Sequence, residues 1–361
     1  MRLAYVCYLS TLAESGVTRK LEAQTAVWRE AGHDARLHIL VPARGAARTR
    51  LLEFEASGAS VVTFASAARR VAATRELARR VRREAPDVVH LRYDIFVPPV
   101  PLVLRDAPLV VDVNTDVLAE FRHRRTVARA YNAAHFRLVS ARARGVVVVT
   151  RALREAWAST GKPCIVVSNG YDLRTVRVLP APANERPRFV FLGEPSPWQG
   201  ADKLVALARL LPDMDFDIVG YRSDQLLDAP GNVTFHGVLT RKEFEPILAR
   251  ADVAIGTLAL HRKGMNEVPP LKVREYLAYG LPCVVAYDDT DFPRPVPFFL
   301  RLPNVENNVD AAAAGRVREF VTSWQGRRVP RDAIAHLDIR VKEAQRLAFM
   351  ERLVHPARTS S

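Results

Sequence analysis

The sequence predicts an α/β protein of two doubly wound, Rossmann-like domains that face a central cleft. Short runs rich in β-branched residues alternate with longer helical stretches, which is the pattern of parallel strands joined by helices on both faces of a sheet. At 361 residues the chain is long for one hydrophobic core. A proline-rich segment at 179–187 separates two such series. We therefore expect ligands where the carboxyl ends of both sets of strands meet.

The first series of elements precedes the proline-rich segment and defines a first domain at 1–178. Its strands are predicted from apolar, β-branched runs at residues 3–8, 35–40, 61–64, 88–91, 109–113, 146–149 and 165–167. Helices are predicted between the strands, notably at 16–30, 74–84 and 152–159.

The second series follows the linker at 179–187 and defines a second domain at 188–334. Its strands are predicted at 188–192, 215–219, 233–236, 253–256 and 283–286. A last helical stretch is predicted at 331–353. The C-terminal segment at 335–361 is therefore able to close either domain.

Composition and patterning limit the class of protein. With 48% hydrophobic and 25% charged residues, the chain has the composition of a globular protein. No apolar run approaches the roughly 18 residues of a membrane-spanning helix, and Met1 leads into a strand-like run without a signal-peptide pattern. Cys7, Cys164 and Cys283 have no metal-binding or redox spacing, which indicates buried thiols in a reducing compartment. We expect a cytoplasmic protein.

The formal net charge is +14, and nearly all of the positive charge is arginine. Arginines are dense at 69–83 and at 122–144, and the first group falls on a predicted helix whose apolar face carries Leu77 and Val81. Such a face is either simply solvated, or a surface that meets an acidic acceptor or anionic lipid at the inner face of the membrane. Specific nucleic-acid binding is disfavoured because no aromatic stacking platform accompanies the charge. The sequence leaves the oligomeric state open.

Glu267 and Glu275 lie on either side of a predicted helix start. Pro270 suits the first residue of that helix, and Gly280 suits the position after its end. The N–H groups at the helix start and the charge of Lys272 favour a phosphate between the two carboxylates. Since carboxylates accept hydrogen bonds from ribose and sugar hydroxyl groups, the layout suits a sugar nucleotide. The alternative is an ordinary short helix with two nearby glutamates.

Polar residues and glycines at other strand ends are further candidates. Gly16 opens the helix after the first strand, where backbone can approach a ligand, although an ordinary turn explains this glycine equally well. Arg92 and Asn114 follow two neighbouring strands and are expected to converge with His90 on the cleft. For His90 we favour a hydrogen-bonded packing role over a role in binding.

Two loops of the second series are further candidates for contact with a sugar nucleotide. Gly237 ends a strand just before Val238, so backbone there is placed to approach a flat ring and pair with it. The loop at 257–267 carries Arg262 and Lys263, which are placed to fold over phosphates.

Taken in order, these segments resemble a retaining glycosyltransferase of family 4, which has the two-domain GT-B fold. The matching segments are Ser15-Gly16-Val17, 87–93, Val113-Asn114, 147–153, 168–172, 191–200, His236-Gly237, Glu267-x7-Glu275, Leu271-Lys272-x-x-Glu275-Tyr276 and Gly280-Leu281-Pro282. They appear in the family's order from residue 1 to residue 290, which is nearly the whole chain.

The resemblance implies a role for each of these positions. In the family, the second glutamate, here Glu275, binds the donor ribose, and the first, here Glu267, contacts the donor sugar near the reacting carbon. We expect Glu267 and Lys272 to be catalytic. The residues expected to bind the donor are Glu275, Leu271, Arg262, Lys263, Gly193, Gln199, Gly237 and Val238. The residues expected to bind the acceptor, on the first domain, are Gly16, Arg92 and Asn114. The family's last helix packs back on the first domain.

The implied reaction moves a sugar from a nucleotide diphosphate sugar to a hydroxyl acceptor with retention of configuration. The family mostly needs no bound metal, so we expect no metal site and no cofactor, with Lys272 and the helix start stabilising the departing diphosphate. The acidic run at 288–291 is interpreted as a loop near the donor. Glu194 and Gln199 depart from the family, which places an arginine and a lysine there. Two alternatives stay open: a non-catalytic basic binding module, and a nucleotide-sugar epimerase or hydrolase.

Overall fold

The structure, a computed structural model, describes residues 1–93, 107–116, 126–226 and 228–355. The chain divides into two compact units, Met1–Ser168 with the segment that starts at Ile339, and Asn169–Asp338. Each unit carries one parallel sheet with helices, so the predicted α/β fold class is confirmed. Of the arginine-rich stretch at 122–144, the first four residues lie outside the described part.

The sheet of the first unit has seven parallel strands in the described ranges, in the order β3-β2-β1-β4-β5-β6-β7. They are β1 (Arg2–Tyr8), β2 (Asp34–Pro42), β3 (Ser60–Phe64), β4 (Val88–Arg92), β5 (Leu109–Val113), β6 (Ala143–Val148) and β7 (Cys164–Val166). Each overlaps a predicted strand, because strands buried on both faces read as continuous apolar runs. The strand order reverses between β1 and β4, which is where doubly wound sheets bind ligands.

Five helices are described between the strands of the first unit: α1 (Gly16–Glu30), α2 (Arg48–Ala56), α3 (Ala67–Arg83), α4 (Thr126–Arg142) and α5 (Arg151–Ala158). The start of α1 is as predicted, because the Ser15 hydroxyl accepts from the Thr18 N–H and the Thr18 hydroxyl accepts from the Ser15 N–H. The start of α3 lies earlier than the predicted residue 74, because the Ser66 side chain accepts from the Arg69 N–H.

The sheet of the second unit has six parallel strands in the described ranges, in the order β10-β9-β8-β11-β12-β13. They are β8 (Arg188–Leu192), β9 (Asp215–Val219), β10 (Val233–Gly237), β11 (Val253–Ile255), β12 (Cys283–Val285) and β13 (Phe299–Arg301). The edge strand β13 is absent from the predicted set, since it has three residues and follows a proline-rich run. The described helices are α6 (Ala201–Leu210), α7 (Arg241–Arg250), α8 (Leu271–Ala278) and α9 (Ala311–Trp324).

The first crossing between the units lies at residues 168 and 169, ahead of the predicted linker at 179–187. The segment that follows the crossing belongs to the second unit because the Tyr171 N–H donates to the Leu337 carbonyl at 2.9 Å. The Leu179 N–H then donates to the Tyr279 carbonyl at 3.0 Å, so even the proline-rich segment begins on the second unit.

The helical stretch predicted at 331–353 is divided in two. Arg331–Leu337 is a 3₁₀ turn of the second unit, whereas α10 (Ile339–Val354) belongs to the first unit. Asp338 separates them with extended backbone, ψ 133°. α10 packs against α1 and β6 within the first unit. Among the described helices, none has the length and apolar character to cross a membrane.

Candidate functional site

The helix α8 carries the residues on which the donor prediction depends. It starts at Leu271, and Pro270 precedes it with extended backbone (ψ 136°), so the predicted helical position of Pro270 is wrong by one residue. The end is as predicted, because Tyr279 caps the helix and Gly280 follows with φ +86°, a left-handed conformation that glycine tolerates. Glu275 therefore lies on the second turn, as the sequence predicts.

Lys272 is a half-buried cation on the first turn of α8. Its Nζ donates to Gln199 Oε1 at 2.6 Å and lies 4.0 Å from the centroid of the Phe191 ring. Burial lowers the pKa of Lys272 to about 7. Within the described ranges no carboxylate forms an ion pair with this ammonium group. Because a buried charge is costly without a counter-ion, the site favours the arrival of an anion.

Gln199 joins two other elements to Lys272. Its Oε1 also accepts from the Thr257 hydroxyl at 3.3 Å, and its backbone carbonyl accepts from the Leu258 N–H at 3.1 Å. The family resemblance places a cation at Gln199, and the structure instead has a carboxamide that orients Lys272. Glu194, the second position that departs from the family, is exposed. Sequence reasoning missed Thr257, for which the only signal is a hydroxyl just after a buried strand.

Glu275 is buried, with 4% of its surface exposed. The Tyr171 hydroxyl donates to Glu275 Oε1 at 3.1 Å. Tyr171 is part of the 168–172 segment that contributes to the resemblance, but its contact with Glu275 is not foreseen from sequence. This hydrogen bond fixes the orientation of the Glu275 carboxylate.

Glu267 is half-buried in the loop before α8, and the chain on both sides of it pairs with Asp288. The Asp288 N–H donates to the Asn266 carbonyl at 2.8 Å, and the Val268 N–H donates to the Asp288 carbonyl at 3.0 Å. The acidic run at 288–291 thus holds the loop of Glu267. Among the described residues, no group of three His, Cys, Asp or Glu side chains is arranged to hold a metal ion.

Arg262 and Lys263, predicted to fold over phosphates, have partners within the second unit. Arg262 donates to both carboxylate oxygens of Asp202 at 2.9 and 2.7 Å and to Glu306 at 3.0 Å. The hydrogen bonds to Glu306 and Asp202 raise the pKa of Arg262 above its usual range. Lys263 Nζ lies 5.2 Å from the centroid of the Trp198 ring. A phosphate would have to compete with these carboxylates for Arg262.

The glycines predicted to approach the donor, Gly193 and Gly237, lie at the carboxyl edge of the second sheet. The Gly193 N–H donates to the Val219 carbonyl at 3.1 Å. Gly237 has φ +66°, and its N–H donates to the Tyr221 carbonyl at 3.0 Å. Since that N–H already has an acceptor, pairing with a flat ring would fall to other backbone groups of the loop. Val238 is 88% exposed beside it.

The acceptor-side candidates lie at the carboxyl edge of the first sheet. Gly16 is the first residue of α1, and Arg92 is the last residue of β4. Asn114 Nδ2 donates to Asp112 Oδ2 at 2.8 Å, and Lys20 Nζ donates to Asn114 Oδ1 at 2.7 Å. Burial lowers the pKa of Lys20 to about 7. Sequence reasoning missed Lys20, although Asp112, an acidic residue inside a valine run, signalled a buried polar site.

His90 is fully buried below this edge and packs between two aromatic rings. Its ring centroid lies 4.9 Å from that of Tyr5 and 5.3 Å from that of Trp28. Burial lowers the pKa of His90 to about 3. Among the described residues neither ring nitrogen has a hydrogen-bond partner, and its Nε2 lies 4.0 Å from Asp112 Oδ2. His90 is thus a packing residue, as predicted, but without the predicted hydrogen bond.

Two of the buried charged residues of α10, Glu343 and Arg346, lie beside these groups in the first unit. Glu343 accepts from the Trp28 indole N–H at 2.8 Å and from Arg346 at 3.3 Å. Arg346 is fully buried, 3.9 Å from Asp112 Oδ1. We call the group Lys20, Asp112, Asn114, Glu343 and Arg346 the polar cluster of the first unit.

Fold and site together define a two-domain glycosyltransferase of the GT-B class, and two family matches agree. Residues 15–175 match the description Glycosyltransferase Family 4, and residues 186–294 match the description Glycosyl transferases group 1. The resemblance stated above is therefore confirmed, since both halves of the chain match glycosyltransferase domains. In sequence alone, no curated protein matches the chain.

Solved structures of glycosyltransferases have the same fold. HepE from Anabaena, in complex with UDP and glucose, has a TM-score of 0.70 at 15% identity, over 96% of this chain and 99% of that chain. A glycosyltransferase from Rickettsia africae has a TM-score of 0.67 at 12% identity, over 99% and 100%. Sucrose-phosphate synthase from Thermosynechococcus elongatus has a TM-score of 0.66 at 14% identity, over 96% and 99%.

Proposed function

We propose that the protein is a retaining glycosyltransferase that moves a sugar from a nucleotide diphosphate sugar to a hydroxyl acceptor without a bound metal or other cofactor. The observation that carries this proposal is Lys272, a cation beside the start of α8 with no carboxylate partner in the described ranges. A diphosphate would supply the missing charge.

The donor is bound by groups on both sides of Lys272 in this proposal. The N–H groups at the start of α8 and the Lys272 ammonium take the diphosphate, and they stabilise the charge that develops as it departs. Glu275 accepts from the ribose hydroxyl groups, with its carboxylate oriented by Tyr171. Glu267, on the loop before the helix, contacts the sugar near the reacting carbon. The UDP in the HepE structure is consistent with this class of donor.

Gln199 stands where the family that this chain resembles has a cation. Among the described residues, the proposed diphosphate site therefore has Lys272 as its one cation, whereas the family has more. Arg262 is engaged with Asp202 and Glu306, so Lys272 and the helix start carry most of the phosphate binding. We expect a donor affinity that depends strongly on Lys272. The acceptor is assigned to the edge of the first sheet formed by Gly16, Arg92 and Asn114.

The test is a donor screen with the full-length protein. UDP, GDP and ADP are titrated by calorimetry, and their sugar derivatives are incubated with hydroxyl acceptors, with products followed by mass spectrometry and anomeric configuration by NMR. We expect one nucleotide diphosphate to bind, and transfer with retention that persists in EDTA.

Each other outcome assigns a different function. The absence of binding by all three nucleotides would contradict the donor site and favour a binding module. Free sugar in place of transfer would identify a hydrolase, and an isomerised nucleotide sugar an epimerase. The Glu275→Ala variant is expected to lose most transfer activity while keeping its circular dichroism spectrum.

The basic face of α3 motivates a second part of the proposal, a peripheral contact with the inner face of an anionic membrane. Its exposed arginines are Arg69, Arg75, Arg79, Arg82 and Arg83. The apolar side chains of Leu52 and Val71 are 55% and 50% exposed on the same unit. We expect sedimentation with phosphatidylcholine vesicles only when phosphatidylglycerol is added. An R82E/R83E variant should lose this binding, whereas Arg318→Glu on the second unit should keep it.

A further inference from the structure

Arg274 is a fully buried arginine on α8, between Lys272 and Glu275 in sequence. Its Nη1 and Nη2 donate to the two carboxylate oxygens of Asp289 at 2.7 Å each, and Nη2 also donates to Asp291 at 2.6 Å. Its Nε donates to the Asn169 carbonyl at 3.2 Å. All three nitrogens therefore have partners, as a charge with no exposed surface requires.

The two carboxylate partners of Arg274 lie on the segment that follows β12. Asp288 directly precedes Asp289, the bidentate partner of Arg274. The backbone of Asp288 pairs with Asn266 and Val268, on either side of Glu267. At the other end of the same segment, the Ala286 N–H donates to the Thr257 carbonyl at 3.1 Å. The Thr257 hydroxyl in turn donates to the Gln199 oxygen that accepts from Lys272. One segment therefore contacts both the Glu267 loop and the partner of Lys272.

We propose that Arg274 is a positioning residue that sets where Glu267 stands relative to Lys272 and Glu275, an inference that rests on the proposed function. Lys272 and Glu275 are fixed to α8 by the helix itself, but Glu267 lies on a loop outside it. The bidentate pair between Arg274 and Asp289 is a direct side-chain link from α8 to the segment that holds this loop. A fork of two parallel hydrogen bonds fixes orientation as well as distance.

A purely stabilising role is the competing explanation, and energetics disfavours it. Burying an arginine with two carboxylates costs desolvation that the pairing only roughly repays, so such a network adds little net stability over an apolar one. Its specific effect is geometric. Because small displacements of a reacting group cost about a hundredfold in rate, a lost fork should reduce turnover far more than nucleotide binding.

The experiment compares Arg274→Lys with the wild-type enzyme, using the donor found by the screen. Lysine keeps the charge but cannot donate to Asp289 as a fork. We expect kcat to fall about a hundredfold, while the Kd of the free nucleotide diphosphate changes less than about threefold, because Lys272 and Glu275 stay on α8. Arg188→Lys is the matched control, since Arg188 also pairs with two aspartates of the second unit, Asp215 and Asp217. The control should keep its kcat.

A double-mutant cycle separates positioning from general damage. If Arg274 acts through Glu267, Arg274→Lys should have little further effect on kcat in a Glu267→Gln background. Multiplicative effects in the cycle would overturn the inference. So would a fall in nucleotide affinity as large as the fall in kcat.

A milder variant covers the case in which Arg274→Lys does not fold. Asp291→Asn removes one charged partner and leaves the bidentate pair with Asp289, and it should show the same separation of kcat from Kd with a smaller amplitude. An unchanged kcat in a folded Arg274→Lys variant would refute the positioning role. A wild-type enzyme that binds no nucleotide would instead refute the proposed function.

Discussion

Each unit places a lysine at the carboxyl edge of its sheet, and the two lysines differ in their surroundings. Lys20 in the first unit donates to Asn114 Oδ1 at 2.7 Å, and Lys272 in the second donates to Gln199 Oε1 at 2.6 Å. Burial lowers the pKa of both to about 7. The amide that holds Lys20 is itself bonded to the carboxylate of Asp112, whereas the amide that holds Lys272 is bonded to a neutral hydroxyl.

The two lysines differ in whether a carboxylate of the described residues lies close to them. In the first unit, the negative charge of Asp112 is already in place and is shared with Arg346. In the second unit, the part of the chain that the structure describes supplies no such charge to Lys272. We therefore expect the two similar lysine–amide pairs to have different roles, one within a folded interior and one in anion binding. Three experiments test this contrast.

Removing the Asp112 charge from the polar cluster should give the largest effect. Asp112→Asn removes the carboxylate between Lys20 and Arg346 and leaves Glu343 as the acid beside Arg346, and breaking a buried ion pair in this way costs about 3–5 kcal/mol. We expect that loss in the free energy of unfolding of the first unit, measured by hydrogen exchange of its peptides. Nucleotide affinity should not change.

The control for this variant is Asp213→Asn, which removes one partner of an exposed pair with Arg318. Its effect on unfolding should be small because exposed ion pairs contribute little. An Asp112→Asn protein with unchanged stability would contradict the structural role of the polar cluster of the first unit.

Removing the cation of the second unit should come next in size. Lys272→Met deletes the charge that is proposed to face the diphosphate, and the loss of one such group costs about 10²–10³ in kcat. We expect this loss in steady-state transfer assays, together with weaker nucleotide binding and no loss of thermal stability. Lys242→Met, which changes an exposed lysine of α7, is the control for net charge. Equal losses in both variants would mean that Lys272 has no special part.

The smallest effect should come from pH. The free protein holds Lys272 with a pKa of about 7, and a bound diphosphate should raise it. At pH 8 the free lysine is mostly neutral, so nucleotide binding must take up nearly one proton. Between pH 6 and 8 the lysine alone should weaken affinity about tenfold.

Calorimetry in buffers of different ionisation enthalpy measures this uptake directly. At pH 8 the nucleotide is fully deprotonated, and burial holds the pKa of the neighbouring Cys283 well above its usual value. Lys272→Arg should abolish the uptake, since arginine stays charged. A wild-type protein that binds nucleotide without proton uptake would show that the lysine is already charged.

Much of the fold could be predicted from sequence because it depends on local pattern. After their first residue, the buried strands β1 and β8 are continuous apolar runs, and α1 begins at a capping box. What could not be predicted depends on tertiary contact. β13 is too short to signal itself, and the division of the last helical stretch at Asp338 follows from membership in different units.

The candidate site shows the same limit. Glu267, Lys272 and Glu275 could be placed on a loop and a helix by their spacing around Gly280. Thr257 and Tyr171 could not be found, because each acts through one hydrogen bond to a residue distant in sequence. The engagement of Arg262 by Asp202 and Glu306 is likewise invisible in the sequence. The positions of charged side chains could be predicted from the sequence, but identifying their partners required the structure.

The membership of α10 in the first unit has a consequence for the order in which the chain is made. The second unit is one continuous segment, Asn169–Asp338, and all of it has emerged from the ribosome before α10 emerges. The first unit must wait for Leu347, Phe349 and Met350, which fill its core. Domains generally fold as units in the order of synthesis. In this protein, synthesis of the N-terminal unit begins first, but its last core residues are made only after the second unit.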